Sequence, residues 1–321
     1  MAPGPERDPL YLAFTVDVDA DANRPARGRP DAVTAGRAPQ EAAYDACFEG
    51  LETLLRVLER LSLPAALFWE ARCLDRLASR NPDLLAQALE NPLLEHGGHG
   101  WRHEDFAGKQ SEVPLGRDET ERVLTRAAQV FDSVLQSRPH GFRAPYCRLT
   151  PELAQALPAY GYLYDASLAR RPGEDWQLRP YRLELNPALW ELSLCRGTDR
   201  QGRPISGYLW QLLEGRRQVG DYLHLAESLR DRAPGGLLQL ALHPWHLLVA
   251  EDGAPFGPEG AAVRLRQVEA LLQRAAAKAG IEFATPGAYL WSHSNGDAED
   301  RRGAKGGRRR EDGTACGGRP R

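Results

Sequence analysis

This 321-residue chain predicts an α/β fold built on a parallel sheet or a β/α barrel. Two observations carry that expectation. Short apolar runs alternate with longer stretches of helical periodicity from residue 11 to residue 285, and several of the apolar runs end in acids or histidines. The first run is "YLAFTV" (11–16). A helix follows over 41–61, where Leu51, Leu54, Leu55, Leu58 and Leu61 form a stripe. "PAALFWE" (64–70) predicts a second strand. Over 118–136, Val123, Ala127, Val130, Phe131 and Val134 share a helical face, with Pro139 just beyond. "LLQLAL" (237–242) predicts another strand, 259–279 a helix stopped by Gly280, and "IEFAT" (281–285) a last strand.

Composition sets outer bounds. At 42% hydrophobic and 26% charged, the chain reads as an ordinary soluble globular protein. A net charge of −3 predicts no general attraction to nucleic acid or to an anionic membrane. No run of eighteen apolar residues exists, so no membrane span is expected. The start, "MAPGPERDPLYLAF", lacks the basic and apolar regions of a secretory signal. Cys47, Cys73, Cys147, Cys195 and Cys316 are scattered and odd in number, which suits reduced thiols. Both features predict a cytoplasmic protein. Nothing in the sequence sets the oligomeric state. After Trp291 the chain holds no Val, Ile, Leu, Met, Phe, Trp or Tyr, so 292–321 is expected to be a disordered, charged Gly/Arg-rich tail. Residues 1–8 are expected to be flexible, leaving 9–291 as a single barrel domain.

In β/α barrels the reactive groups lie at the C-terminal ends of strands. The first strand ends in "TVDVDAD". Asp17 and Asp19 are two apart and share a side of a strand. They face a cation or a shared proton there, or they are solvated acids opening a loop. "LEHGGHGWRHEDF" (94–106) holds His99 and His103, four apart, which on a helical turn lie side by side as a shared metal requires. His96 is a competing ligand, ranked lower because Gly97 and Gly98 favour a turn between it and His99. Two imidazoles and one carboxylate make a three-ligand site with an open position, the arrangement expected of catalytic zinc. "GFRAPYCRLTPE" (141–152) holds Arg143 beside Pro145. It is suited either to keep a carboxylate ionised or to form a structural salt bridge before a helix starting near Thr150–Pro151. His243 follows the strand 237–242, with His246 just after. It is read as a general acid or as a satisfied structural histidine. The stretch 20–40, with Arg24, Arg27, Arg29 and Arg37, is read as a solvated loop or as a basic rim. Trp101, Trp245 and Trp291 are read as buried residues or as platforms for sugar rings.

The order strand–DxD, HxxxH, RAPY, strand–HP resembles the polysaccharide deacetylases, carbohydrate esterase family four with the NodB-type homology domain. "TVDVDAD" is similar to the DxD variant of their first motif, with Val18 between the acids. "GGHGWRHEDF", "RAPY" (143–146), "GYLYDASL" (161–168) and "LALHP" follow in the family's order, and the likeness spans about residues 10–290. The resemblance implies a distorted (β/α)7 barrel. It implies metal ligands at Asp19, His99 and His103, and a catalytic base at Asp17 oriented by Arg143. It further implies a general acid at His243 and an oxyanion-holding backbone N–H at Tyr146. Asp165 matches the fourth motif's aspartate, its role left open, as are those of His96 and His246. The implied activity is metal-dependent hydrolysis of an N-acetyl amide on a carbohydrate or related substrate. Zn2+ is expected first, with Co2+ or Ni2+ as alternatives. Hydrolysis of another small non-peptide C–N bond, or a silent binding protein on the same barrel, stand as the other readings. The expected partner is a small molecule or glycan, with no nucleic acid and no membrane.

Overall fold

The computed structural model describes residues 8–21, 23–35, 40–170 and 178–294. Eight strands set the frame: β1 (Leu10–Val18), β2 (Ala65–Trp69), β3 (Leu94–Gly98), β4 (Gly141–Phe142), β5 (Tyr164–Asp165), β6 (Asn186–Glu191), β7 (Leu237–Leu242) and β8 (Ile281–Phe283). Seven of them run parallel in the order β7-β1-β2-β3-β4-β5-β6. β8 pairs with the start of β1 on the edge opposite β7, the edge that β2 takes further along, and an antiparallel strand, Tyr181–Leu183, edges β6. The helices are α1 (Gln40–Leu61), α2 (Ala71–Arg80), α3 (Pro82–Glu90), α4 (Arg117–Val130), α5 (Pro151–Ala156), α6 (Trp210–Leu213), α7 (Val219–Arg232), α8 (Gly257–Ala276) and α9 (Pro286–Ser294).

The sheet curls on itself, and its two ends are joined by a seam in place of a regular ladder. The chain beyond β6 continues as Leu194–Thr198, where the Cys195 carbonyl accepts from the Gly207 N–H. The segment 207–209 then crosses to β7: the Ala241 N–H donates to Gly207 O at 2.9 Å, and the Leu209 N–H to Ala241 O at 2.7 Å. The (β/α)7 barrel expected from the motifs is therefore present, distorted where the ring closes.

Strand parity determines which side chains enter the barrel. Leu10, Leu12, Phe14, Val16 and Val18 of β1 all join the outer core, packed with Leu51, Leu54 and Leu58 of α1 and Leu271 and Leu272 of α8. The alternate positions, from Ala13 through Thr15 to Asp17, face inward. Because parallel strands in such folds are covered on both faces, β1 reads as a nearly unbroken apolar run. Each fully buried leucine or phenylalanine contributes roughly 1.5–3 kcal/mol of transfer free energy.

Several boundaries differ from expectation. Residues 131–135 form a π-helical turn beyond α4, so α4 itself is shorter than the periodicity suggests. α9 carries through to Ser294, three residues past the expected domain end. His293 orders that turn by packing its ring against Tyr11 and Tyr289, at 4.9 and 4.1 Å between centroids. The rest of the expected tail and residues 1–7 of the expected flexible start lie outside the described residues. Within 20–40 the chain forms a hairpin, Asn23–Ala26 with Arg29–Ala35. Arg27 there pairs with Glu112 at 2.8 Å, both exposed, while the side chains of Arg24, Arg29 and Arg37 lie outside the described residues. Among the described residues, no helix is long and apolar enough to cross a membrane.

Candidate active site

Five of the side chains singled out in the sequence stand at or just beyond the C-terminal end of a barrel strand. Asp17 and Asp19 close β1, His99 follows β3, Arg143 follows β4, and His243 follows β7. Parity explains His99 against His96. The two are three apart, so they face opposite sides of β3. His96 points outward and accepts the Trp69 Nε1–H at 3.0 Å, whereas His99 points inward. The expected turn at Gly97–Gly98 is not there, since both glycines belong to β3. Their value is close approach. A Cβ on Gly97 would lie 2.4 Å from the Phe68 ring, and one on Gly98 2.3 Å from the Tyr162 hydroxyl oxygen.

His99 and His103 are not on a helical turn either. A tight turn joins them, with His103 at φ 58°, and the Glu104 carboxylate pins it by accepting the Trp101 and Arg102 N–H groups at 3.0 and 2.8 Å. The result is still two imidazoles side by side, 5.2 Å between ring centroids. Positive φ recurs at Tyr146 (59°) and Cys147 (53°). Backbone strain of this kind, of order 1–3 kcal/mol per residue, is held where surrounding contacts over-determine it.

Three buried atoms lack a hydrogen-bond partner at this point: Asp19 Oδ2, His99 Nε2 and His103 Nδ1. Orphaned buried polar atoms cost roughly 1–3 kcal/mol each unless something binds them. His99 Nδ1 lies 2.7 Å from the Arg143 carbonyl, which sets the ring and leaves the Nε2 lone pair pointing into the site. Burial holds the His99 pKa down at about 4, so this imidazole is neutral, as a ligand must be. A second grouping overlaps the first: one donor atom each of Asp19, His103 and His243 lie within 4.8 Å of one another. His243 Nε2 lies 3.2 Å from Asp19 Oδ2. Burial works against a charged His243, but Asp19, with Asp17 and Asp21, outweighs it and raises its pKa. The two groupings share Asp19 and His103 and differ in whether His99 or His243 completes them. For Asp19, burial favours the neutral acid, and His243, His103 and His99 reverse this, holding it far below the usual carboxylate range.

Arg143 is fully buried and spends its donors inside the barrel. Nη1 donates to Asp17 Oδ1 at 2.7 Å and to Thr15 Oγ1 at 2.9 Å. Nη2 donates to Gln239 Oε1 at 2.8 Å and Nε to Ala166 O at 3.0 Å. The guanidinium also lies 4.5 Å from the centre of the Phe68 ring. Burial alone would raise the Asp17 pKa; Arg143, then His99, His243 and the Tyr208 hydroxyl, bring it below its ordinary value. Asp17 is thus an ionised, aimed carboxylate.

These groups open on one cleft of about 500 Å³. Tyr146, Tyr208, Trp210 and Trp245 wall it. The Tyr208 hydroxyl donates to Asp17 Oδ2 and lies 3.0 Å from His243 Nε2. Tyr208, Trp210 and Gln110 carry no motif, and the sequence reading misses them. Glu70 was legible: it ends "PAALFWE" and so stands at a strand end like the others. Its carboxyl is buried, with Oε1 unpartnered, and burial followed by Asp19 and Glu104 raises its pKa well above the ordinary value. Trp245 lines the cleft, whereas Trp101 packs against the outer core and Trp291 is exposed on α9. His246 is buried, 2.6 Å from Glu214. Asp165 accepts both the Ser167 N–H and hydroxyl, and Ser167 Oγ accepts the Ala144 N–H, so it braces the RAPY segment from behind.

Residues 42–164 match the family model described as polysaccharide deacetylase. The peptidoglycan deacetylase-like protein FGM2 of Gibberella zeae is 28% identical over 129 residues, 40% of this chain. The chain spans about a third of that relative, 35% of its length. The polysaccharide deacetylase fold extends over nearly the whole chain. A structure assigned as a polysaccharide deacetylase from Mycobacterium smegmatis aligns with TM-score 0.60 and 21% identity, over 95% of this chain and 94% of its own. The Puue allantoinase aligns with TM-score 0.60 and 16% identity, over 89% and 90%. Another structure assigned as a polysaccharide deacetylase, from Pseudomonas aeruginosa PAO1, aligns with TM-score 0.57 and 17% identity, over 89% and 93%.

Proposed function

We propose that this chain is a metal-dependent hydrolase that removes an N-acetyl group from a carbohydrate. One observation carries the reading: an ionised Asp17, paired at 2.7 Å with buried Arg143, opens on the same cleft as the unpartnered donor atoms of Asp19, His99 and His103. Those three residues would hold a divalent cation, zinc before cobalt or nickel, which when bound would supply Lewis-acid polarisation of water and of the acetyl carbonyl. Asp17 accepts the proton of the attacking water. Arg143 keeps Asp17 charged and fixes its direction. The Tyr146 backbone N–H donates to the carbonyl oxygen as negative charge builds on it, an interaction worth roughly 3–4 kcal/mol where such donors are removed from other enzymes. His243 gives its proton to the nitrogen of the departing amine. Its raised pKa suits that role, since an acid must still hold a proton near neutral pH.

The aromatic walls support a sugar substrate, because Trp and Tyr faces stack on the apolar faces of sugar rings. The cleft lining includes Asp17, Asp19, Asp21 and Glu251 and, among the described residues, no Lys or Arg. That favours a neutral or amine-bearing glycan over a phosphorylated one. Acetate release from chitin-type and peptidoglycan-type oligomers, run beside linear and cyclic amides, tests the proposal. Asp17→Asn should lose at least a hundred-fold in turnover with its metal content intact. Release from simple amides alone, or unchanged turnover in the variant, would overturn it.

A further inference from the structure

A second cavity of about 510 Å³ adjoins the first across α6, where Trp210 lines the catalytic cleft and Gln211 lines the second cavity. Its chemistry is the reverse of its neighbour's. Arg196 and Arg232 line it, and among the described residues no carboxylate does. Neither guanidinium has an ion-pair partner among the described residues. The other arginines of this region behave differently: Arg200 pairs with Asp221, Arg203 and Arg217 with Asp199, and Arg216 with Glu251. Where the local pattern is to neutralise every guanidinium, the two left over are the two on the cavity. Gln211 Oε1 is buried against the same cavity with no donor to satisfy it. The floor is apolar and fully packed, formed by Ile205, Leu225 and Leu229.

We infer that this cavity is a binding site for a small molecule that carries an oxyanion on a hydroxylated body of about monosaccharide to disaccharide size. Arginine's planar fork matches a carboxylate or a phosphate with two parallel hydrogen bonds. The lone acceptor of Gln211 takes an O–H or N–H from the ligand body, and the leucines take its apolar face. The volume falls within the range of ordinary small-molecule sites. The site is independent of the hydrolase proposal, since none of its lining residues belongs to the catalytic cleft.

Calorimetric titration of the full chain with glucose 6-phosphate, glucuronate and glucose tests it. At least one charged probe should bind ten-fold or more tightly than glucose, and the stronger of the two identifies phosphate or carboxylate as the anion. Arg196→Gln and Arg232→Gln should each weaken that probe at least ten-fold. Both side chains are exposed and unpaired, so neither change removes an internal contact. His103→Ala should leave the affinity unchanged, which separates this site from the catalytic cleft. Equal binding of charged and neutral probes, full affinity in the double arginine variant, or loss of binding in His103→Ala would each overturn the assignment.

Discussion

The Tyr208 hydroxyl donates to Asp17 Oδ2 at 2.8 Å, on the carboxylate oxygen that Arg143 leaves open. The Asp17 carboxylate, the base of the proposed mechanism, is thereby held from both sides, by a guanidinium on one oxygen and a phenol on the other. Tyr208→Phe removes one hydrogen bond while keeping the ring and its packing. Supporting partners of this kind are commonly worth ten- to a hundred-fold in activity. We expect kcat to fall in that range while bound metal stays stoichiometric. A fall in metal content alongside the rate would mean that Tyr208 holds the fold of the site and not the base.

Metal analysis separates the two overlapping donor sets. With Asp19, His99 and His103 as ligands, His99→Ala should lose the metal, whereas His243→Ala should keep it and lose turnover. The opposite pattern would assign the cation to Asp19, His103 and His243. The two imidazoles differ in setting: burial holds the His99 pKa down at about 4, while His243 Nε2 lies 3.2 Å from Asp19 Oδ2.

His96 lies away from the cleft and makes a cleaner probe of acid stability. Burial lowers its pKa from 6.5 to about 4. The folded state therefore prefers the neutral ring, and the unfolded chain takes up the proton first as pH falls through 6.5. The stabilisation is complete above pH 6.5 and is lost on the way down to about pH 4, amounting to about 3 kcal/mol at most. Urea denaturation of His96→Gln should show a shallower loss of stability between pH 6.5 and 4 than the native chain. An unchanged slope would refute the assignment.

Gly50 sits inside α1, where alanine ordinarily stabilises a helix by about 1 kcal/mol. Here the sign should reverse. A Cβ at this position would meet the Pro244 carbonyl oxygen at 2.1 Å, and that backbone has no soft way to move. Gly50→Ala should lower stability by about 1–3 kcal/mol, read as Tm. It should also reduce turnover more than stability alone explains, because Pro244 directly follows His243.

Much of the site was legible because one rule sufficed: look past the end of each apolar run. Asp17, Asp19, His99, Arg143 and His243 all obey it, and the same rule, applied to "PAALFWE", would have reached Glu70. Tyr208 and Trp210 escape it for a physical reason. Tyr208 sits on an irregular crossing held by a single bridge to Ala241, and Trp210 opens the four-residue α6, too short for a period of 3.6 to mark the chain. The turn between His99 and His103 was misread as helical because four-residue spacing has more than one backbone solution, and the positive φ at His103 has no sequence signature in a histidine. The barrel itself was plain, since strands buried on both faces leave continuous apolar runs.

The seam at Gly207–Leu209 has a mechanical consequence. The segment of chain that shuts the ring also carries the phenol to Asp17, so closing the barrel and completing the hydrogen bonds of that carboxylate are one event.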